Sequence, residues 1–349
     1  MENKETVLVT GGSGFIASHC IIQLAAAGYQ VKATVRDLSR TNKLNQTLLN
    51  GLEKYEGKSD LSVDWQVTNL SSDEGWDEAM EGCDYVLHVA SPIAMQLPKD
   101  EDEMVKPAVE GTLRVLKAAS KAGVKRVVIT SSVAAIMYGT NKQGVFNEED
   151  WTDPNSKTTN VYAKSKTLAE QAAWDFMKQD TSGMELSTVL PAMVFGPILE
   201  EDFGVSVGAI LDMMNGKYPI VPNWDMGVVD VRDVADAHIR AAYISKAAGR
   251  HIVFKETTTP LKLSQMLQEK YGQKYPLPTK ELPKWLVWLV GPLLDKTMTR
   301  RLIAKNMGHK WRADNSKSKE ELGIEYRSLD TSINEMFQQM IDQGYIKPL

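Results

Sequence analysis

The feature that most constrains the fold is a regular alternation of strand-like and helix-like segments through the first 190 residues. The strand-like runs are short, β-branched and mostly apolar on both faces, as buried parallel strands are. The predicted strands are 6–10, 30–35, 61–67, 84–90, 126–131 and 186–190, and the predicted helices are 14–27, 40–54, 73–81, 101–122 and 161–179. This order predicts an α/β fold, a doubly wound parallel sheet with helices on both faces.

The sequence changes character after Pro191, where proline and glycine become frequent and the alternation stops. Segments 227–231 and 251–255 have the pattern of strands returning to the first domain, and helix 233–246 is expected to pack back on it. We therefore predict a first domain over 1–190, with returning elements near 227–255, and a smaller, interleaved lobe over 191–349. The apolar segment "PKWLVWLVGPLL" (283–294) is too short to span a bilayer. We expect a buried or lid helix there; a membrane-surface or dimer contact is the alternative.

Composition excludes several classes of protein. The net charge is −5, and no lysine- or arginine-rich run predicts a nucleic-acid surface. Only two cysteines occur, Cys20 and Cys83, which argues against a disulfide framework or a cysteine metal site. No spaced set of histidines and carboxylates indicates a metal. With no signal peptide pattern and no membrane span, we expect a cytoplasmic protein.

A glycine-rich loop, "VLVTGGSGFIASH" (7–19), joins the first predicted strand to the first helix. Gly11 allows a sharp turn out of the strand, Gly14 allows the backbone to approach a pyrophosphate, and Ala17 is small enough for the helix to pack on the sheet. The helix N-terminus offers free N–H groups to phosphates. In this strand–loop–helix context the motif predicts dinucleotide binding, against the alternative of a merely structural turn.

The end of the second predicted strand, "KATVRD", indicates which dinucleotide binds. NAD-specific folds usually place a carboxylate there to hold the ribose 2′-hydroxyl, and here Val35 occupies that position. Arg36 follows, and its guanidinium suits the 2′-phosphate of NADPH. Arg40 and Lys43 add positive charge, and Asp37 is expected to cap the next helix or point away. We predict NADPH; the alternative is that Arg36 is a solvated surface charge.

Three residues predict proton chemistry at the same edge of the sheet. Ser132 follows the fifth strand, and Tyr162 and Lys166 lie four residues apart at the start of a helix, on one helical face. Such a set suits carbonyl reduction, with Ser132 binding the substrate oxygen, Tyr162 as general acid and Lys166 holding the nicotinamide ribose. A lysine charge about 5 Å away is expected to lower the tyrosine pKa by roughly two units. The alternative for Ser132 is a structural hydroxyl.

With these motifs the sequence resembles the extended short-chain dehydrogenase/reductase superfamily, and within it the dihydroflavonol-4-reductase-like group of NADPH-dependent aldehyde and ketone reductases. The matching stretches include "VTGGSGFIASH", "VKRVVITSSVAA", "YAKSKTLAEQAAWDF" and "VVDVRDVADAHI". The resemblance implies a Rossmann-type fold and the Ser132, Tyr162 and Lys166 triad. It also implies cofactor contacts at Gly11, Gly14, Phe15, Ile16, Arg36, Lys43, Leu70, Ala90, Tyr162, Lys166, Pro191 and Val194. Asn69 stands where the family usually has an aspartate beside the adenine.

The substrate pocket is expected between the nicotinamide end of the sheet and the second lobe. Its predicted lining is mostly apolar or aromatic: Ser91, Ile93, Met137, Tyr138, Trp224 and Met226. This lining predicts a neutral, moderately hydrophobic aldehyde or ketone as the small-molecule substrate. The chain is expected to act as a monomer or a homodimer. An NAD-dependent nucleotide-sugar epimerase or dehydratase, and a dinucleotide-binding sensor without turnover, are the alternatives.

Overall fold

The computed structural model describes residues 5–92, 100–199, 204–294, 298–308 and 311–349. Its strands are β1 (Thr6–Val9), β2 (Gln30–Val35), β3 (Val63–Val67), β4 (Tyr85–His88), β5 (Arg126–Thr130), β6 (Val145–Phe146), β7 (Glu185–Pro191), β8 (Met193–Phe195), β9 (Ile220–Pro222), β10 (Met226–Asp230), β11 (Gly249–Val253), β12 (Glu256–Thr258), β13 (Lys280–Leu282) and β14 (Arg312–Ala313). Its α-helices are α1 (Phe15–Ala27), α2 (Thr41–Glu56), α3 (Trp76–Met80), α4 (Asp102–Ala122), α5 (Ala134–Met137), α6 (Val161–Met177), α7 (Gly204–Met214), α8 (Val231–Tyr243), α9 (Pro260–Tyr271), α10 (Lys284–Leu294), α11 (Arg300–Asn306), α12 (Ser316–Leu322) and α13 (Leu329–Asp342).

A seven-stranded sheet forms the centre of the fold, in the order β11-β7-β5-β4-β1-β2-β3. Every neighbouring pair in it is parallel. The predicted doubly wound parallel sheet is therefore confirmed. Strand β1 lies between β4 and β2, so the direction of winding reverses there, and such sheets bind ligands at the carboxyl ends of the strands beside that reversal.

The core of the first domain consists of the apolar strands and the helices that cover them. Val7, Leu8 and Val9 are completely buried, which explains why β1 carries no polar face. Helix α8 packs against α1 and against β4, β5 and β7. The helix predicted near 233–246 thus contacts elements of the central sheet.

The strand pairing of the second half corrects one sequence-based interpretation. Strand β11 pairs with β7 at the edge of the central sheet, as expected for 251–255. Strand β10, predicted as 227–231, does not join that sheet, because β11 already takes the edge beside β7. It lies in a separate three-stranded sheet, parallel to β8 and antiparallel to β12. Phe195, Val228 and Phe337 belong to a second core cluster, which stabilises the smaller lobe.

The apolar segment 283–294 becomes helix α10, but it is only partly buried. Val287 packs with Ile303 and Met307, whereas Trp285 is 67% exposed and Leu293 is 82% exposed. The expectation of a buried helix therefore holds for one face alone. Within the described residues, no helix combines the length and the apolar character needed to cross a membrane.

Candidate active site

A cavity of about 530 Å³ lies at the carboxyl edge of the central sheet. That volume falls in the range of small-molecule and cofactor sites. Most of the sequence-predicted site residues line it together: Gly11, Gly14, Phe15, Ile16, Arg36, Asn69, Leu70, Ala90, Ser91, Ser132, Tyr162, Lys166, Pro191 and Val194. The predicted phosphate loop and the predicted triad therefore share one site.

The loop between β1 and α1 is built for close backbone approach. Gly11 has a φ of +70°, which an L-side chain rarely adopts, and a Cβ there would lie 3.1 Å from the Cα of Ala90. The Gly11 N–H donates to Thr34 Oγ1 at 3.0 Å. Ala17 is completely buried, as its role in helix–sheet packing requires. The conformation of this loop thus excludes larger residues for steric reasons.

The residues present fit a dinucleotide with a 2′-phosphate. Helix α1 begins after Gly14 without a side-chain cap and without an acidic residue in its first turn, so its N-terminus keeps N–H groups available for an anion. Arg36 is exposed at the end of β2 and lines the cavity. Asp37 turns away from it: its carboxylate accepts from Ser39 N at 2.9 Å and caps a short 3₁₀ turn over Leu38–Arg40, as expected.

Two predicted cofactor contacts have particular positions. Lys43 is exposed in the first turn of α2 and is not among the residues that line the cavity. Asn69 lines the cavity, and its side-chain oxygen accepts from Ser71 N at 3.0 Å. The adenine contact predicted for Asn69 therefore involves a side chain already oriented by its own turn.

Ser132 and Tyr162 line the same cavity and share a hydrogen bond. Ser132 follows β5, is 8% exposed, and accepts a hydrogen bond from Ala134 N at 3.1 Å. Tyr162 lies in the first turn of α6, which Asn160 caps by accepting from Ala163 N. Burial raises the pKa of Tyr162, and its hydrogen bond with Ser132 lowers it in part. The net direction is upward, so the phenol keeps its proton at neutral pH.

The position of Lys166 corrects the expectation that it lowers the Tyr162 pKa. Its Nζ donates to Thr130 O at 3.0 Å, so its charge is directed at the end of β5. Lys166 is 7% exposed, and burial lowers its own pKa to about 8, against an opposing contribution from Glu170. Desolvation therefore dominates both groups in this site, and it acts in opposite directions on a phenol and an ammonium.

Sequence reasoning missed the buried hydroxyls that hold the loops together. Thr34 accepts from Gly11 N, and Thr10 Oγ1 accepts from Ala90 N at 3.0 Å and bonds His88 Nδ1 at 2.9 Å. The available signal was a threonine inside an otherwise apolar buried strand, since a buried hydroxyl needs a partner.

The residues predicted to bind substrate are dispersed. Ser91 lines the cavity, and Ile93 lies outside the described residues. Burial raises the pKa of Tyr138, and the nearby Tyr162 raises it further. The others pack elsewhere: Met137 against the first core, Met226 against the second, and Trp224 against the Val287 cluster. Their contact with substrate stays a prediction. In the described part of the chain, no group of three or more histidines, cysteines and carboxylates has the arrangement of a metal site.

The chain is similar to one protein family over most of its length. The family model described as NAD dependent epimerase/dehydratase family matches residues 7–253. A cinnamoyl-CoA reductase, CAD2, of Medicago truncatula is 34% identical over 345 residues, covering 97% of this chain and 96% of the relative. A dihydroflavonol 4-reductase of Arabidopsis thaliana is 35% identical over 282 residues, covering 78% and 71%.

A solved structure extends the similarity to the fold. The yeast methylglyoxal/isovaleraldehyde reductase Gre2, crystallised with NADPH, superposes with a TM-score of 0.75 at 27% sequence identity. The match covers 98% of this chain and 100% of that chain. The second lobe is therefore part of the shared architecture, together with the central sheet.

Proposed function

The chain belongs to the NAD dependent epimerase/dehydratase family, the extended short-chain dehydrogenases/reductases, and we propose that it is a carbonyl reductase of neutral, moderately hydrophobic aldehydes and ketones. It is an NADP-dependent oxidoreductase, as its relatives named as reductases indicate. The observation that carries the finer proposal is the single cavity lined by the phosphate loop, Arg36, Ser132, Tyr162 and Lys166. The product is the corresponding alcohol.

The proposed cofactor is NADPH. The loop over Gly11 to Gly14 and the N-terminus of α1 would hold the pyrophosphate, and Arg36 would hold the 2′-phosphate. The side chain of Val35, a residue that is 6% exposed, has no atom that can accept a hydrogen bond from a ribose hydroxyl. When bound, the reduced nicotinamide supplies hydride to the carbonyl carbon of the substrate.

The chain's own residues supply the proton and stabilise the charge that develops. Ser132 donates a hydrogen bond to the substrate oxygen, which orients it towards Tyr162. The Tyr162 phenol then delivers its proton to that oxygen as general acid. Lys166, a buried cation at pH values below about 8, would hold the nicotinamide ribose of the bound cofactor.

The experiment is to mix the purified chain with NADPH and a panel of aldehydes and ketones, and to follow the loss of absorbance of the reduced cofactor. We expect turnover with neutral aryl and alkyl carbonyl compounds, and much weaker turnover when NADH replaces NADPH. Formation of the alcohol is checked by chromatography. Binding of NADPH without turnover of any member of the panel would favour the sensor alternative.

A second candidate follows from the family description, which includes epimerases and dehydratases. Such an enzyme would use NAD and a nucleotide sugar. The absence of a carboxylate at Val35 and the presence of Arg36 argue against it in this chain. Incubation with UDP-glucose and NAD, followed by analysis of the sugar, tests this alternative directly.

A further inference from the structure

Glu170 is a buried carboxylate next to the proposed proton-transfer residues. It lies one helical turn after Lys166 in α6 and is 1% exposed. Ser131 Oγ donates to it at 2.6 Å, and Thr188 Oγ1 donates at 2.9 Å. A buried carboxylate is costly unless it is paired and hydrogen-bonded, and this one meets both conditions.

Its charge is balanced by Arg250 on β11. Arg250 Nε and Nη2 donate to the two oxygens of Glu170 at 2.7 and 3.2 Å, and Arg250 is 7% exposed. Nη1 donates to the carbonyls of Glu148 and Asp150, and the guanidinium lies 3.7 Å from the centroid of the Trp151 ring. The pair is thus fixed from all sides, so the carboxylate is a stationary charge.

Lys166 and Glu170 line a common small cavity of about 20 Å³, together with Ser131, Thr112 and His88. Such a volume accommodates about one water molecule between polar partners. Both oxygens of Glu170 already accept hydrogen bonds from Ser131, Thr188 and Arg250. Glu170 therefore acts on Lys166 as a fixed charge, and the interaction crosses the low-dielectric space of this cavity.

We propose that Glu170 is a positioning residue for the reductase reaction: its buried carboxylate, balanced by Arg250, keeps the Lys166 ammonium charged and directed at the end of β5. The inference rests on the proposed function, because it assigns Glu170 a role through Lys166. Glu170 and Arg250 carry opposite charges, so they shift the Lys166 pKa in opposite directions. Arg250 therefore limits how far Glu170 raises that pKa.

The other ionisable groups around Lys166 do not replace this carboxylate. His88 on β4 and His238 on α8 are completely desolvated, which lowers their pKa values to about 3 and about 4, so both are neutral at pH 7. Tyr162 on α6 is a neutral phenol. Among the described residues that line the small cavity with Lys166, Glu170 is the one carboxylate, and Arg250 lies behind it, bonded to its two oxygens.

The test measures the Lys166 pKa without cofactor or substrate. The full chain is labelled with trace acetic anhydride across a pH series, with a simple amine as internal standard. Mass spectrometry of the Lys166 peptide then gives the apparent pKa. Four variants are compared with wild type: Glu170→Gln, Arg250→Met, the double variant, and Arg250→Lys as the control that keeps the charge.

We expect Glu170→Gln to lower the Lys166 pKa by about one unit, and Arg250→Met to raise it by a smaller amount. In the double variant and in Arg250→Lys, the Lys166 pKa should stay near the wild-type value. Equal pKa values in all folded variants, or shifts of the same sign in both single variants, would overturn the proposal. If Glu170→Gln does not fold, the Lys166 pKa measured in Arg250→Met must still be higher than that in the double variant.

The link to the reaction is tested separately. The alkaline limb of kcat/KM should move in the same order as the labelling pKa values, with KM for NADPH changed less than kcat. A limb that stays in place while the labelling pKa moves would overturn the role of Glu170 in the reaction. A chain without reductase activity would contradict the proposed function, and the labelling order would still show whether Glu170 controls Lys166.

Discussion

At the scale of single residues, burial shifts the pKa values of the two proposed proton-transfer residues in opposite directions. Desolvation raises the pKa of the Tyr162 phenol and lowers the pKa of the Lys166 ammonium to about 8. At neutral pH both groups are therefore protonated, which is the state that reduction of a carbonyl requires. The sequence predicts that these two residues face the same way. It does not predict that Lys166 Nζ bonds Thr130 O, because that depends on how closely α6 packs on β5.

The role of Tyr162 is tested by Tyr162→Phe, which removes only the hydroxyl. Turnover should fall by roughly 10²–10⁴, the usual contribution of a general acid, while affinity for NADPH stays within about threefold. Single-turnover kinetics and fluorescence titration measure the two quantities. Tyr218→Phe, on the exposed surface of the second lobe, is the matched control. Retention of more than about a tenth of the wild-type rate would assign the proton to another group.

The pH dependence follows from the two opposite shifts. The phenol of Tyr162 stays protonated throughout, because its pKa is raised above an ordinary value near 10. Lys166 loses its charge as the pH rises through about 8. We therefore expect kcat/KM for carbonyl reduction to be steady below this value and to fall above it. An alkaline limb beginning only above about pH 10, where free tyrosine ionises, would show that Lys166 does not control the rate.

Arg36 is the residue that should distinguish the two nicotinamide cofactors. Arg36→Ala would remove the proposed charge-assisted bonds to the 2′-phosphate, which NADH lacks, so kcat/KM with NADPH should fall roughly 10- to 100-fold. With NADH the change should be less than about threefold. Parallel steady-state kinetics with both cofactors measure this. Arg40→Ala, in the adjacent 3₁₀ turn, tests whether any nearby cation has the same effect. Equal losses with both cofactors would make Arg36 structural.

At the scale of elements, the sequence predicts the central sheet well because each of its strands is short, β-branched and bounded by a helix. It does not distinguish β10 from β11, since both are five-residue strands with one glycine and two β-branched residues. Their partners decide the outcome: β11 meets β7, whereas β10 lies between β8 and β12. Pairing across more than 30 residues of chain is a tertiary property, and local patterns do not encode it.

The turn between β1 and α1 provides a prediction about an element. Gly11→Ala places an alanine in a left-handed backbone conformation and a Cβ 3.1 Å from Ala90, where the loop meets the end of β4. Gly57→Ala forces a similar backbone conformation at the end of α2, with no atom within 4 Å. Both should lower the free energy of unfolding by about 1–2 kcal/mol. Only Gly11→Ala should also weaken NADPH binding, by tenfold or more, as measured by titration. Equal affinity in the two variants would separate Gly11 from the cofactor.

At the scale of the whole molecule, the substrate pocket is the least predictable feature. It depends on how the second lobe lies against the sheet edge, and the candidate residues come from distant segments. An apolar side chain such as Trp224 suits a pocket wall and a core equally well, and in the structure it packs with the Val287 cluster. Helix α10 shows the same ambiguity, since its apolar sequence covers both a buried and an exposed face. The sheet edge and the proposed catalytic residues are easier to predict because local motifs mark them.

The charge of the molecule leads to a prediction about its substrates. The chain carries a net charge of −5, and in its described part the only cations lining the cavity are Arg36 and Lys166. Arg36 is assigned to the cofactor phosphate, and Lys166 bonds Thr130 O, so neither is expected to pair with a substrate carboxylate. Burying an unpaired anion costs several kcal/mol. We therefore expect an aryl keto ester to have a kcat/KM at least about tenfold above that of its free keto acid, measured at pH 7 with saturating NADPH. Repeating the comparison at high salt separates this burial effect from long-range repulsion, which salt screens. A preference for the acid would require a further cation beside the triad and would overturn the proposed substrate class, while the assignment of the Tyr162 proton would stand.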